Sequence, residues 1–166
     1  MTVRSPLLSL GARDNMTTKP IPNKEDIMEI TNEIWGMVQA QLDYSDDEMA
    51  RFKSDPANRE IITKAMETAH ITITAEVIES HGCFIGHRKG QKFHIDNSGA
   101  LLSSKCPDKM CLLLINNLVP LVFGLQQLMF NGVDPDNLKF KRFGCSDVGL
   151  ACGGWGHVVM EVGVER

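Results

Sequence analysis

Residues 70–81 read His70-Ile71-Thr72-Ile73-Thr74-Ala75-Glu76-Val77-Ile78-Glu79-Ser80-His81. Apolar Ile71, Ile73, Ala75 and Val77 alternate with polar Thr72, Thr74 and Glu76, and β-branched residues dominate. A period of two with that composition predicts a strand with one buried face. Because strand side chains repeat every second residue, Glu79 and His81 are expected on the same face as the apolar series, at the end where that face leaves the core. A carboxylate two residues from an imidazole makes a candidate pair, in which the carboxylate fixes the ring tautomer and raises its basicity.

Upstream of this strand the period is helical. Residues 1–22 are rich in Ser, Thr, Pro and Arg without periodicity and are expected to form a flexible arm. From Asn23, a candidate cap, Ile27, Ile30, Ile34, Trp35, Val38 and Leu42 recur at three- and four-residue spacing, and Glu25 and Asp26 suit a helix start; the spacing predicts a helix over 24–42. Ser45-Asp46-Asp47-Glu48 has the form of a capping box, and Asp55-Pro56 places a cap and a first-turn proline before Ile61, Ile62, Ala65 and Met66. Residues 23–68 therefore read as a helical lobe.

Downstream, a glycine-bounded turn from Gly82 to Gly90 leads to Phe93, Ile95 and Asp96 in a second strand, and Asn97-Ser98-Gly99 turns the chain again. The longest apolar segment runs from Met110 to Phe130. Pro107 or Asp108 can open a helix there and Gly132 can close it. Lys109, Asn116 and Gln127 occupy one narrow stripe, so the helix is expected to be buried nearly all round, with a kink at Pro120. Leu138, Phe140 and Phe143, then Val158, Val159, Met160, Val162 and Val164, predict a closing hairpin. The fold class is α+β: a helical lobe, then a ββαββ antiparallel sheet packed on a long apolar helix, with residues 23–166 as one domain and 69–166 as its Cys/His-rich part.

Composition narrows the function classes. The chain has 166 residues, 43% of them hydrophobic, enough for one sizeable core. Its net charge is -4, its 17 basic residues are spread among 21 acidic ones, and aromatics are 6%, so no nucleic-acid partner is expected. The apolar patch in Met1 to Leu10 is too short and interrupted for a signal peptide, and no run is expected to approach about 18 apolar residues. A cytoplasmic protein without a membrane partner is the expectation. An odd number of cysteines then favours free thiols, thiolate ligands or a reactive cysteine over a disulfide framework.

All five cysteines and four of the five histidines fall between positions 81 and 157. His81, Cys83 and His87 give H-x-C-x-x-x-H in one turn region, and imidazole with thiolate is the donor set favoured by Zn²⁺ and other late first-row ions. Cys145 and Cys152 flank a loop and are candidates for the same ion, for a redox pair, or for neither role. Asp147 between them is a candidate base, or a group that satisfies local amides. Gly153-Gly154-Trp155-Gly156 either presents amides to an anionic ligand, with Trp155 as a flat wall, or forms a bulge that needs glycine. Cys106, beside the expected helix start, is the candidate reactive thiol. Cys111, inside the apolar segment, reads as a small buried hydrophobe. His94 is expected to face solvent and His70 to have no chemical role.

Ile71-Thr72-Ile73 through Glu79, Gly90-x-x-Phe93-x-x-Asp96, the helix opening at Met110-Cys111, and Cys145-x-Asp147 followed by a Val-rich strand together resemble a small bacterial family of ββαββ type, over about residues 70–165. That resemblance implies a compact ββαββ domain and no particular activity. The Cys/His groups themselves point to a small enzyme with His81 as base or ligand, Glu79 as its orienter, and Cys106 and Asp147 as further catalytic candidates. Metal-assisted hydrolysis or elimination on a small carboxylate or carbonyl compound is the expected chemistry. The alternatives are a non-catalytic structural or partner-binding subunit with a structural metal or buried thiols, its helical lobe docking a partner or a second copy in a homo-oligomer, and a thiol redox protein.

Overall fold

The computed structural model describes residues 30–166, so the expected arm over 1–22 and the cap at Asn23 lie outside the described residues. Helix α1 spans Asn32–Leu42 and opens at Thr31, whose hydroxyl accepts the Ile34 amide at 3.3 Å. Thr31 is extended and takes the cap of α1, and residues 24–29 of the expected span lie outside the described residues. Helix α2, Asp46–Ser54, carries the expected capping box: Ser45 Oγ accepts the Glu48 amide while Glu48 accepts the Ser45 amide at 2.9 Å. Asp55 caps α3, Pro56–Glu67, through the Ala57 amide. Trp35 and Met49 are buried in this lobe, and Phe52 meets the Trp35 ring edge-on with centroids 6.5 Å apart.

The sheet has four strands, β1 (Thr72–His81), β2 (Lys92–Ile95), β3 (Arg142–Gly144) and β4 (His157–Glu165), in the order β2-β1-β4-β3, all antiparallel. Helix α4, Leu112–Phe130, covers one face. Ile73, Ala75, Val77, Phe93, Ile95, Val158, Met160 and Val162 point from the sheet into a core completed by Leu114, Leu118, Val122, Leu125 and Met129 of α4. Burying each large aliphatic side chain contributes roughly 1.5–3 kcal/mol. The opposite sheet face is polar, with Lys92 paired to Glu165 and Arg142 to Glu161. Asn97 joins the lobe to the sheet: its side-chain amide donates to the Ala65 carbonyl at 2.7 Å, and its own carbonyl accepts from Gln126 of α4 at 3.1 Å. The architecture is α+β, as the alternating periods predict.

Two expectations are corrected. Helix α4 is apolar nearly all round but buried along one stripe; Leu112, Leu113, Val119 and Phe123 are exposed, because a single sheet covers only the side that faces it. By length and composition alone α4, with a mean hydropathy of 1.6, is also long and apolar enough to cross a membrane. The second correction concerns β1. Val77 lies opposite Met160 and Glu79 opposite Val159, so Ile78 is an extra residue in β1. A bulge of one residue reverses the alternation beyond it. Ser80, opposite buried Val158, now points inward, while Glu79 and His81 point outward and are exposed.

Candidate functional site

The first hairpin turn and the last loop meet at the end of the sheet where β1 finishes and β4 begins. Gly82 has φ 64°, and a Cβ placed on it would lie 2.6 Å from the Trp155 carbonyl oxygen, so the two backbones approach as only glycine permits. Phe84 meets the Trp155 indole edge-on at 5.7 Å between centroids. Between these loops and the first turn of α4 lies a cleft of about 230 Å³. Cys83 and His87 line it from the first turn, Cys111 from the start of α4, and Cys145, Ser146 and Asp147 from the last segment. Phe84, Ile85, Leu113, Leu114 and Val158 make the remaining wall chiefly apolar.

His87 is the buried polar group of the cleft, at 4% exposure. Ser80 Oγ donates to its carbonyl at 2.6 Å, which seats the loop on β1, and its ring lies 5.5 Å from the Phe93 ring. Nδ1 is 3.3 Å from Gln91 Oε1, an oxygen that also accepts the Arg88 amide at 3.0 Å. An amide oxygen only accepts, so Nδ1 carries a proton, and in the neutral ring Nε2 presents a lone pair. That Nε2 is buried and has no hydrogen-bond partner. Buried polar atoms are nearly always paired, and an exception marks a place where something else supplies the partner.

The thiols divide by their surroundings. All five are free. Cys145 Sγ accepts the Val158 amide at 3.2 Å and faces the Asp147 carbonyl at 3.7 Å. Cys111 is the N-cap residue of α4 and makes no side-chain cap bond; it is half-buried on the cleft wall rather than inside the core. Cys106 does not stand at the helix start, which falls later than Pro107 or Asp108; its sulfur sits on β2, accepting the His94 amide at 3.3 Å. The position at the positive end of the α4 dipole, expected for Cys106, belongs to Cys111. Cys152 is exposed in the 3-10 turn Leu150–Cys152 and does not line the cleft. The expected ligand set of His81, Cys83, His87, Cys145 and Cys152 is therefore split: Cys83, His87 and Cys145 share the cleft, while His81 and Cys152 lie outside it. Among the described residues no group of three or more His, Cys, Asp or Glu side chains is gathered as a metal ion requires.

Asp147 binds its own loop. Its carboxylate accepts the amides of Gly149 at 3.0 Å, Trp155 at 3.1 Å and Gly156 at 3.1 Å. Those amides, Gly149 first and Gly156 next, hold its pKa below the usual carboxylate value, and the carboxylate fastens its own loop. The expected anion site at Gly153, Gly154 and Trp155 is occupied in the same way: the Gly153 amide donates to Leu150, the Gly154 amide to Gly149, and the Trp155 amide to Asp147. On the outer face Glu79 does meet an imidazole, but it is His157, at 2.8 Å between Oε1 and Nε2. His81 lies across the strand pair, 6.1 Å from the His157 ring. The role of His157 had a sequence signal, its place directly after the glycine turn, but its pairing with Glu79 depends on the bulge. His94 is half-buried rather than solvent-facing, with Nδ1 2.8 Å from the Lys105 carbonyl; His70 is exposed.

The chain matches no family model, no curated protein and no solved structure.

Proposed function

We propose that this chain is a small thiol-dependent enzyme whose cleft takes a small, mostly apolar carbonyl compound, with Cys111 as nucleophile and His87 as proton acceptor. The observation that carries this reading is the unpaired, buried Nε2 of His87 in a wall shared with a thiol at a helix N-terminus. A cavity of about 150 Å³ holds a benzene ring, so about 230 Å³ suits one ring or a short branched chain with a carbonyl head. In the first step the Cys111 sulfur bonds to the carbonyl carbon and its proton passes to His87 Nε2. The carbonyl π pair moves onto oxygen, beside the unpaired first-turn amides of α4, where negative charge is favoured. Collapse of that adduct expels the leaving group with its bonding pair, and the His87 proton goes with it. Water then hydrolyses the thioester and frees Cys111.

The test uses p-nitrophenyl acetate, whose acetyl group is small enough for the cleft. Intact-mass analysis with peptide mapping should find one acetyl group, on Cys111, gained as p-nitrophenolate appears and lost again on hydrolysis. Cys111→Ser should abolish the thioester, and His87→Leu should slow acylation about a hundredfold or more, the range typical of a lost general base. Acetylation of Cys152 at least as fast as of Cys111, with His87→Leu unchanged, refutes the proposal.

A further inference from the structure

Three segments that meet at the cleft carry large apolar side chains outward. Phe84 on the first turn is 83% exposed, Leu112 at the start of α4 76% and Trp155 on the last loop 71%, with Leu113, Val148 and Leu150 exposed beside them. Phe84 and Trp155 touch, and Phe84 and Leu113 share the cleft wall, so these residues form one end of the molecule rather than scattered single positions. Soluble monomers seldom gather such a patch without a surface to cover it. The charges around it decide what that surface is. Arg88 and Lys89 follow Phe84 in the same turn, and Lys109 precedes α4; all three are exposed, and none makes an ion pair among the described residues. The carboxylates of these segments are Asp108 and Asp147, the latter held by its own loop amides, and Glu79 beside them is bonded to His157. The three cations therefore outnumber the two anions of these segments, in a chain whose net charge is -4, and none of the three is tied to a carboxylate. The opposite end has an exposed aromatic too, Phe140, but there Lys141 is paired with Asp136 and Arg142 with Glu161.

We propose that this end docks onto an anionic lipid bilayer surface, with Leu112, Leu113 and Phe84 entering the headgroup boundary, Trp155 at the interface, and Arg88, Lys89 and Lys109 facing the lipid phosphates. Exposed leucine and phenylalanine beside tryptophan and free cations is the pattern that binds in the interface plane without crossing it. The cleft opens among the same side chains, so its ligand would reach it from the lipid phase. Docking stands independently of the thiol chemistry proposed for the cleft.

The two tryptophans supply the probe, since Trp35 is buried and Trp155 exposed. The full chain is mixed with phosphatidylcholine vesicles, with and without phosphatidylglycerol, and followed by flotation and by tryptophan emission. Binding and a blue shift should appear with phosphatidylglycerol, weaken with salt, and lose the blue shift in Trp155→Phe. Leu112→Asp with Leu113→Asp should weaken binding about tenfold or more, and Arg88→Ala about fivefold, the effect of one cation near a charged surface. Phe140→Asp should leave it unchanged. No flotation on any vesicle overturns the proposal, as does equal weakening by Phe140→Asp. A concentration-dependent blue shift without vesicles, joined to a dimer in sedimentation, assigns the patch to a second copy and overturns it as well.

Discussion

Replacing His87 by leucine should make the protein more stable while removing its proposed chemistry. The imidazole is 4% exposed, its Nε2 has no partner, and its Nδ1 bond to Gln91 is 3.3 Å long. A buried polar atom left unpaired costs about 1–3 kcal/mol, and an ordinary hydrogen bond is worth about 0.5–1.5 kcal/mol net. Leucine removes the first cost and forfeits the second, while Gln91 Oε1 keeps the Arg88 amide. The balance is a gain of about 1 kcal/mol, or roughly 2–5 °C in melting temperature for a domain of this size. His87→Ala should instead lose about 2 kcal/mol, because it leaves a void against Phe93. Urea unfolding followed by far-ultraviolet circular dichroism on ligand-free protein measures both, with m unchanged. A loss of 1 kcal/mol or more in His87→Leu would refute the reasoning, since it would mean that Nε2 is satisfied in the folded protein.

Asp147→Asn should release the last loop: the amides of Gly149, Trp155 and Gly156 should lose hydrogen-exchange protection. Since the folded-state pKa of Asp147 is lowered, its contribution is present above the unfolded carboxyl value of about 3.9 and is lost as pH falls through the folded one. Wild type and Asp147→Asn should therefore converge in acid, and an urea midpoint gap that stays constant down through that range would contradict the assignment. Gly156→Ala drives a methyl group into the Gly82 backbone and should cost about 3 kcal/mol in thermal unfolding, with the two loops parted. Pro120→Ala should stabilise α4 by about 1–2 kcal/mol, because Pro120 is exposed inside the helix and denies the Asn116 carbonyl its donor; the unfolded-chain term offsets part of the gain, and the melting temperature reads the remainder.

How far the residues alone reveal this molecule depends on the range of the interaction. The capping box at Ser45, the Asp55-Pro56 start of α3 and the alternation from Ile71 to Val77 are local patterns, and each appears where it is expected. Helix α4 is legible as a helix but not in its burial, because the number of layers covering it is set by the tertiary fold and not by its own sequence. At the site, the meeting of the first turn and the last loop is foreshadowed by the clustering of Cys83, His87, Cys145 and Asp147. The unpaired state of His87 Nε2 is not foreshadowed, since it depends on Gln91 turning its oxygen toward both Nδ1 and the Arg88 amide. The same holds for the thiols: the helix start fell at Leu112, and that shift of a few residues moved the dipole position from Cys106 to Cys111.

The bulge at Ile78 is the step on which the site turns. With unbroken pairing of β1 and β4, Glu79 and His81 would point toward α4, and a carboxylate and an imidazole would have to be buried or paired there. The extra residue places Ser80 inward instead, where its hydroxyl is satisfied by the His87 carbonyl. It thereby fixes the loop that carries His87 into the cleft. The carboxylate and the imidazole are sent to the outer face, where Glu79 bonds His157 on the exposed surface. One inserted residue therefore separates two imidazole environments that the spacing of His81 and His87 would otherwise suggest as one: a solvated pair outside and a buried, half-satisfied ring inside. Deleting Ile78 should remove the bulge while Glu79 stays opposite Val159 and Ser80 opposite Val158, so both keep their faces and Ser80 keeps its bond to the His87 carbonyl. Native-state protection of the Gly90 amide, which donates to Val77 beside the bulge, should then be unchanged, and its loss would mean that the pairing of β1 had slipped instead.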